Sequence, residues 1–392
     1  MEQITYRFQD ICQTITDYVA NGSFKSLADN VQYSNDKDYA RLIRLVDFNS
    51  NYDEKNAIWV PESSYKFLKK SVLYGNEVII SNVGANLGTV FKCPKLDYPM
   101  TLGPNSILIK TNDICNQDYL YYYLKSRIGY NKVMTLVSGS AMPKFNKTEL
   151  RNMEVSLPNR NYQDKTAELL SKIDKKIELN NKINNNLQEL AKSIYYEKFK
   201  DKTKNGKLKD ILDLHKKSIK SKDESLKYFP IDVLPMNYLI TRDGKANEEA
   251  QSSLIEFKKY DILVGAMRVY FHRVCLAAED GITRTTTFVL RPKNEDYLYY
   301  SLITLDKADF IKYANDGSKG STMPYAVWDN NCNEYEIYVP TSNEAKEFND
   351  IVKSLFEIQI INEKNNRYLE QLRDTLLPKL MNGEIDLDNI EI

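Results

Sequence analysis

Four short phrases occur twice in the 392-residue chain, in the same order each time. "FQDI" at Phe8–Ile11 is answered by "LKDI" at Leu208–Ile211, and "YLYY" at Tyr119–Tyr122 recurs at Tyr297–Tyr300. "GSAMP" at Gly139–Pro143 is matched by "GSTMP" at Gly320–Pro324, and "VSLP" at Val155–Pro158 by "IYVP" at Ile337–Pro340. A segment of helical spacing follows each member of the last pair. Self-similarity of this kind constrains architecture before any local motif does, because both copies must share one fold. The offset drifts over the first three landmarks and then holds at 182 residues through the helical segments, so the globular parts differ by loop insertions and the helices do not. The expected order is a globular part at 1–158, a helix at 159–200, a second globular part at 201–340, and a helix with its tail at 341–392. A chain of this length also exceeds one ordinary core.

Each globular part reads as mixed α and β. The runs "EVII" (Glu77–Ile80), "SILIK" (Ser106–Lys110), "DILV" (Asp261–Val264) and "TTTFVL" (Thr285–Leu290) are short, apolar and rich in β-branched residues, as strands are. The tyrosine-rich segments read as short helices packed by their rings. Asn161 with Asp164, and Thr341 with Glu344, resemble helix N-caps just after a strand-ending proline. The first long helix then carries a coiled-coil seam at Leu170, Ile173, Ile177, Asn180, Asn184, Leu187, Ala191 and Ile194. The second carries Val352, Leu355, Gln359, Asn362, Asn366, Leu369, Arg373 and Leu376, with Pro378 expected to end or kink it and Gly383 a nearby stop. A polar residue at a seam costs stability and fixes register. Antiparallel pairing would set Asn180 opposite Asn366 and Asn184 opposite Asn362. On that reading, leucine at 180 and 184 leaves the pair at least as stable and its register looser. The fold class expected is α/β of the mixed α+β kind: two pseudo-symmetric globular domains joined by two long antiparallel coiled-coil helices.

Bulk chemistry narrows the function. Fifty-four basic residues balance 54 acidic ones, which excludes indiscriminate polyanion binding but not a local basic face such as Lys202–Lys222, with eight lysines. Five scattered cysteines without a CxxC suit free thiols in a reducing cytoplasm. No apolar run is long enough to span a membrane, and the start of the chain has no secretory pattern. There is no GxxxxGK[ST] phosphate loop, no [DN]PP[YF] methyltransferase tetrapeptide and no GxGxxG. One alternative is an autonomous Mg-dependent nuclease in which Asp243, Glu256 and Lys258 hold the ion and activate water. A duplicated unit with rigid spacers and little catalytic apparatus better suits geometric recognition of a long periodic ligand, for which DNA is the natural candidate.

The doubled "GSxMP…strand…Pro–long helix" units and the ending "LLPKLMNGEIDL" (Leu376–Leu387) resemble the specificity subunit of type I restriction–modification systems over essentially the whole chain. The helix starts, "LPNRNYQDK" and "VPTSNEAKE", depart from the family's usual "LPPLxEQ"-like phrase. The resemblance implies two target recognition domains, each reading one half of a bipartite asymmetric site on double-stranded DNA, and spacer helices that set the gap. It implies a non-catalytic, cytoplasmic subunit with no cofactor or metal of its own. Its partners would be two methyltransferase subunits using S-adenosylmethionine and two restriction subunits using ATP and Mg. Base readout needs donors and acceptors on loops that reach a groove. The candidates are Asn82, Asn86, Ser138, Ser140, Lys144 and Lys147 in the first domain. In the second they are Arg268, Tyr270, His272, Arg273, Arg284, Lys319 and Ser321.

Overall fold

A computed structural model describes residues 3–50, 52–139, 142–219, 225–247 and 254–387. Ser140 lies outside the described residues. The chain forms two compact units, one of Met1–Lys175 with Gln371–Ile392 and one of Lys176–Glu370. Both long helices therefore pass from one unit into the other.

In the first unit an antiparallel sheet has the order Cys12–Asp17, Ser106–Thr111, Val78–Ser81, Val90–Lys92. In the second, the order Leu212–His215, Thr287–Pro292, Ile262–Gly265, Val274–Leu276 repeats it strand for strand. The central strands are continuous apolar runs because both of their faces are covered: Val78, Ile79, Ile80, Ile262 and Leu263 have no exposed surface. The neighbouring sheets differ, being four-stranded around Ala40–Ile43 in the first unit and three-stranded around Gly281–Arg284 in the second. A two-stranded ribbon closes each globular part, Ile4–Arg7 against Glu154–Leu157 and Gly206–Lys207 against Glu336–Ile337. The tyrosine-rich segments are the helices Gln117–Lys125 and Leu298–Leu305, with Tyr119, Tyr122, Tyr299 and Tyr300 buried.

The long helices are Arg160–Phe199 and Ser342–Met381. In the second unit their ends meet over an aromatic cluster. The rings of Tyr195 and Phe199 pack on Phe348 and Tyr300 with centroids 5.0–5.9 Å apart. Each such ring pair adds roughly 0.5–1.5 kcal/mol beyond its buried area. In the first unit the second helix docks through Leu380 and Met381, both buried, and Tyr162 Oη donates to the carbonyls of Leu380 and Ile385 (3.1 Å each).

Two helix-end expectations need correction. The first helix is capped by Asn159, whose Oδ1 accepts from Tyr162 N (2.9 Å), not by Asn161. Asp164 instead takes hydrogen bonds from Arg160 and Asn116. Pro378 lies inside the second helix, which runs on to Met381 before Gly383 adopts a positive φ of 72°. Pro378 has no N–H to give the carbonyl of Asp374 and costs about 3 kcal/mol there, a cost that the burial of Leu380 and Met381 offsets.

The second helix begins at a capping box. Thr341 Oγ1 accepts from Glu344 N (3.3 Å), and the Glu344 carboxylate accepts from Thr341 N (3.0 Å). Lys202 and Tyr338 also donate to that carboxylate (2.7 Å each). Hydrogen bonds from Lys202, then Tyr338 and the Thr341 backbone, pull its pKa from about 4.5 down to about 2. A depressed carboxylate stabilises the fold above its unfolded pKa and ceases to do so as pH falls toward the folded value. We predict that Glu344→Gln flattens the pH dependence of urea stability between about pH 4.5 and about pH 2. The effect is modest because solvent reaches the site. Parallel curves for variant and parent would show that this cap carries no such linkage.

Candidate nucleic-acid interface

In the first unit, strand Val78–Ser81 runs into the loop that carries Asn82 and Asn86. Pro143, Lys144 and Phe145 fold against that loop. Lys144 forms backbone bridges with both Val83 and Ser138. Gly84 N donates to Pro143 O (3.0 Å) and Phe145 N to Asn82 O (3.2 Å). The second unit is wired identically. Tyr325 bridges Met267 and Lys319, Arg268 N donates to Pro324 O (2.7 Å) and Ala326 N to Ala266 O (2.8 Å). The glycine of each phrase has a reason. Gly139 and Gly320 sit at φ of 89° and 90°, and a Cβ there would lie 3.0 and 3.3 Å from the carbonyls of Met142 and Met323.

The candidate residues separate into two groups. Asn86, Ser138, Lys144, Tyr270, Lys319 and Ser321 are exposed on these loop pairs. Arg284 is exposed just before Thr286, whose carbonyl accepts from Ala266 N (2.8 Å). Asn82, Lys147, His272 and Arg273 are already engaged. Asn82 Nδ2 donates to Phe145 O (3.0 Å), and Lys147 Nζ is 2.7 Å from Asp17 Oδ1. His272 Nε2 lies 2.8 Å from both the carbonyl and the carboxylate of Asp306, and Arg273 donates to the carbonyls of Asp232 and Leu234. Arg268 holds a left-handed backbone (φ 49°), and its Nε is buried without a partner among the described residues. Sequence reasoning missed the exposed Met142, Phe271, Met323 and Tyr325. The repeat itself pointed to Tyr325, which occupies the position of Lys144.

The seam asparagines form a buried network in the second unit. Asn180 Nδ2 donates to Asn366 Oδ1 (2.8 Å) and Asn362 Nδ2 to Asn184 Oδ1 (2.8 Å). Asn184 Nδ2 also reaches Tyr238 Oη (2.9 Å) and Glu363 Oε1 (3.2 Å), and Tyr238 donates to Glu363. Gln188 Oε1 accepts from Leu239 N (2.8 Å), so the globular part is stitched to the helix pair at the same level. Asn185 and Asn186 are exposed, so of the three consecutive asparagines only Asn184 is buried in the seam. Glu363 lay off the seam spacing and gave no signal in the sequence.

Asp243, Glu256 and Lys258 are occupied in surface ion pairs. Asp243 lies against Lys227 and Arg367. Hydrogen bonds from Lys258 and Lys217 hold the Glu256 carboxyl below its ordinary range, while Glu256 and Asp280 hold Lys258 protonated. A lysine so held is no base at neutral pH. Among the described residues no group of three or more His, Cys, Asp or Glu could hold a metal ion, and no helix is long and apolar enough to cross a membrane.

One loop pair is thus built twice on one topology, once in each unit. Residues 6–189 and 200–371 each match the type I restriction modification DNA specificity domain, so the chain belongs to that family, whose members are non-catalytic DNA-recognition subunits. It is 25% identical over 329 residues to the type I restriction enzyme MjaIX specificity subunit of Methanocaldococcus jannaschii, covering 74% of each chain. It is 20% identical over 373 residues to the HindI specificity subunit of Haemophilus influenzae, covering 73% of this chain and 80% of that one. The crystal structure of a type I system S subunit from M. genitalium shares the fold, with a TM-score of 0.61 at 16% identity over 97% of this chain and 96% of that one.

The network changes the expectation for leucine at the seam. Asn180→Leu leaves the buried Asn366 Oδ1 without its donor and should cost roughly 1–3 kcal/mol. Asn184→Leu strips a donor from a buried carboxylate and should cost roughly 1.5–3 kcal/mol. Urea denaturation of the two single variants measures this. Equal losses would mean that Glu363 does not depend on Asn184.

Proposed function

We propose that this chain is the DNA-specificity subunit of a type I restriction–modification complex, and that its globular parts, 1–158 and 201–340, each read one half of a bipartite asymmetric site. The observation that carries this reading is the bridged loop pair, built once in each unit around a "GSxMP" phrase and faced with exposed polar and basic residues. Loops on a rigid scaffold are where recognition residues gather. The spacer helices at 159–200 and 341–383 act as the ruler for the gap between half-sites. In the cytoplasm the subunit gathers methyltransferase and restriction subunits, two of each. S-adenosylmethionine, ATP and Mg are used by those partners, and this chain binds none of them.

Mapping methylated sites in a host that carries the chain with its methyltransferase tests the core of this reading: a two-part motif with a fixed gap is expected. Exchanging 201–340 for the same segment of another family member should change one half of the motif only. A change in both halves, or a motif without a gap, would overturn the division of labour.

Lys144→Ala tests the first unit. As a phosphate contact, Lys144 should contribute about 0.9 to the slope of log affinity against log salt, and its loss should weaken all sequences alike. As a base contact it should cost roughly 1–3 kcal/mol with relaxed preference at one position. Unchanged binding would remove the "GSAMP" loop from the interface.

A further inference from the structure

The two loop pairs share their wiring but not their surface. In the first unit the loop after the central strand is "NVGANLG", without an aromatic residue, and Lys144 follows the "GSAMP" phrase. In the second unit the equivalent loop is "MRVYFHR", and Tyr325 stands where Lys144 does. Residues Val269–Phe271 form a single 3-10 turn held on every side. Val269 is buried, Arg268 N is tied to Pro324 O, His272 O accepts from Asn237 N (3.0 Å), and the His272 ring is fixed on Asp306. Arg268 and His272, the residues flanking the turn, both adopt left-handed backbone (φ 49° and 53°), which non-glycine residues hold only when their surroundings dictate it.

What this clamped turn presents is two adjacent rings. Tyr270 is 51% and Phe271 41% exposed, their centroids are 5.0 Å apart, and the Arg273 guanidinium sits 5.8 Å from the Phe271 ring. Met323 and Tyr325, about half exposed on the partner loop, extend the apolar surface. Aromatic rings held rigidly in water beside arginines fit the flat faces of bases, which a duplex offers only where a base step is opened.

We infer that Tyr270 and Phe271 form an aromatic wedge that enters a base step of the half-site read by the second unit and unstacks it, whereas the first unit reads its half without a wedge. This rests on the proposed DNA-reading role. It adds a deformation term at that half-site, so steps that unstack easily, such as pyrimidine–purine steps, are favoured there even where no base edge is touched.

The test uses the full chain with its methyltransferase partner and duplexes that carry the mapped target. 2-Aminopurine is placed at successive positions of each half. Apart from the target base that the methyltransferase flips in each half, binding should raise fluorescence at one step in the second unit's half and nowhere in the other half. Phe271→Ala should abolish the rise and weaken specific binding about 5- to 150-fold, as loss of one stacked base does. Phe271→Trp, which keeps a large ring, should retain both. A complex that forms with no such fluorescence rise in that half overturns the wedge but leaves the DNA-reading role intact. So does a loss of affinity on thymine-to-uracil replacement without unstacking, which would mark a groove-edge methyl contact instead. A chain that binds no DNA with its partner overturns the underlying reading.

Discussion

The arrangement of the second unit depends on a buried carboxylate. Glu363 is almost fully buried on the second long helix, and its charge is met by Tyr238 from the globular part and Asn184 from the first helix. A buried charge left unpaired is costly, so any slide of one helix along the other, or any tilt of the globular part, is opposed at one point. The amide pairs Asn180–Asn366 and Asn184–Asn362 sharpen that opposition, because a slip breaks them too. An apolar seam would hold the helices together as well and would resist sliding less.

The first unit solves the same problem differently. Asp174 on the first helix receives Arg373 of the second (2.9 Å) and Tyr122 of the globular part (2.7 Å). Again one carboxylate joins three segments, but with partial exposure and an arginine in place of amides. In the second unit the position one repeat after Asp174 is Phe356, stacked on Tyr299 with ring centroids 4.6 Å apart. The repeat conserves the geometry of attachment while its chemistry has been exchanged.

How much of this was legible in the sequence follows from the range of each interaction. The helices, the central strands and the facing asparagines obey periodic patterns, so they could be read. The cap at Asn159 was missed by two residues, because Asn159 and Asn161 compete for one role and only the path of the preceding strand decides between them. Pro378 does not end the helix, because its local cost is offset by the burial of Leu380 and Met381. The loop pairs were found through the doubled "GSxMP" phrase. Which loop side chains face outward was not legible, because Lys147, His272 and Arg273 are captured by partners distant in sequence.

The core of the first unit contains Leu380, Met381 and Leu387 beside Tyr119, Tyr162 and Leu170. The unit whose synthesis begins first is therefore the last to be completed. The segment that carries Leu380, Met381 and Leu387 is made after the rest of that unit. Until that segment emerges, the surface that receives Leu380 and the Tyr162 hydroxyl stays open to water. Completion of the first unit thus requires that synthesis has passed Leu387. A chain cut after residue 370 would lack the residues that fill this core and would leave its apolar surface exposed.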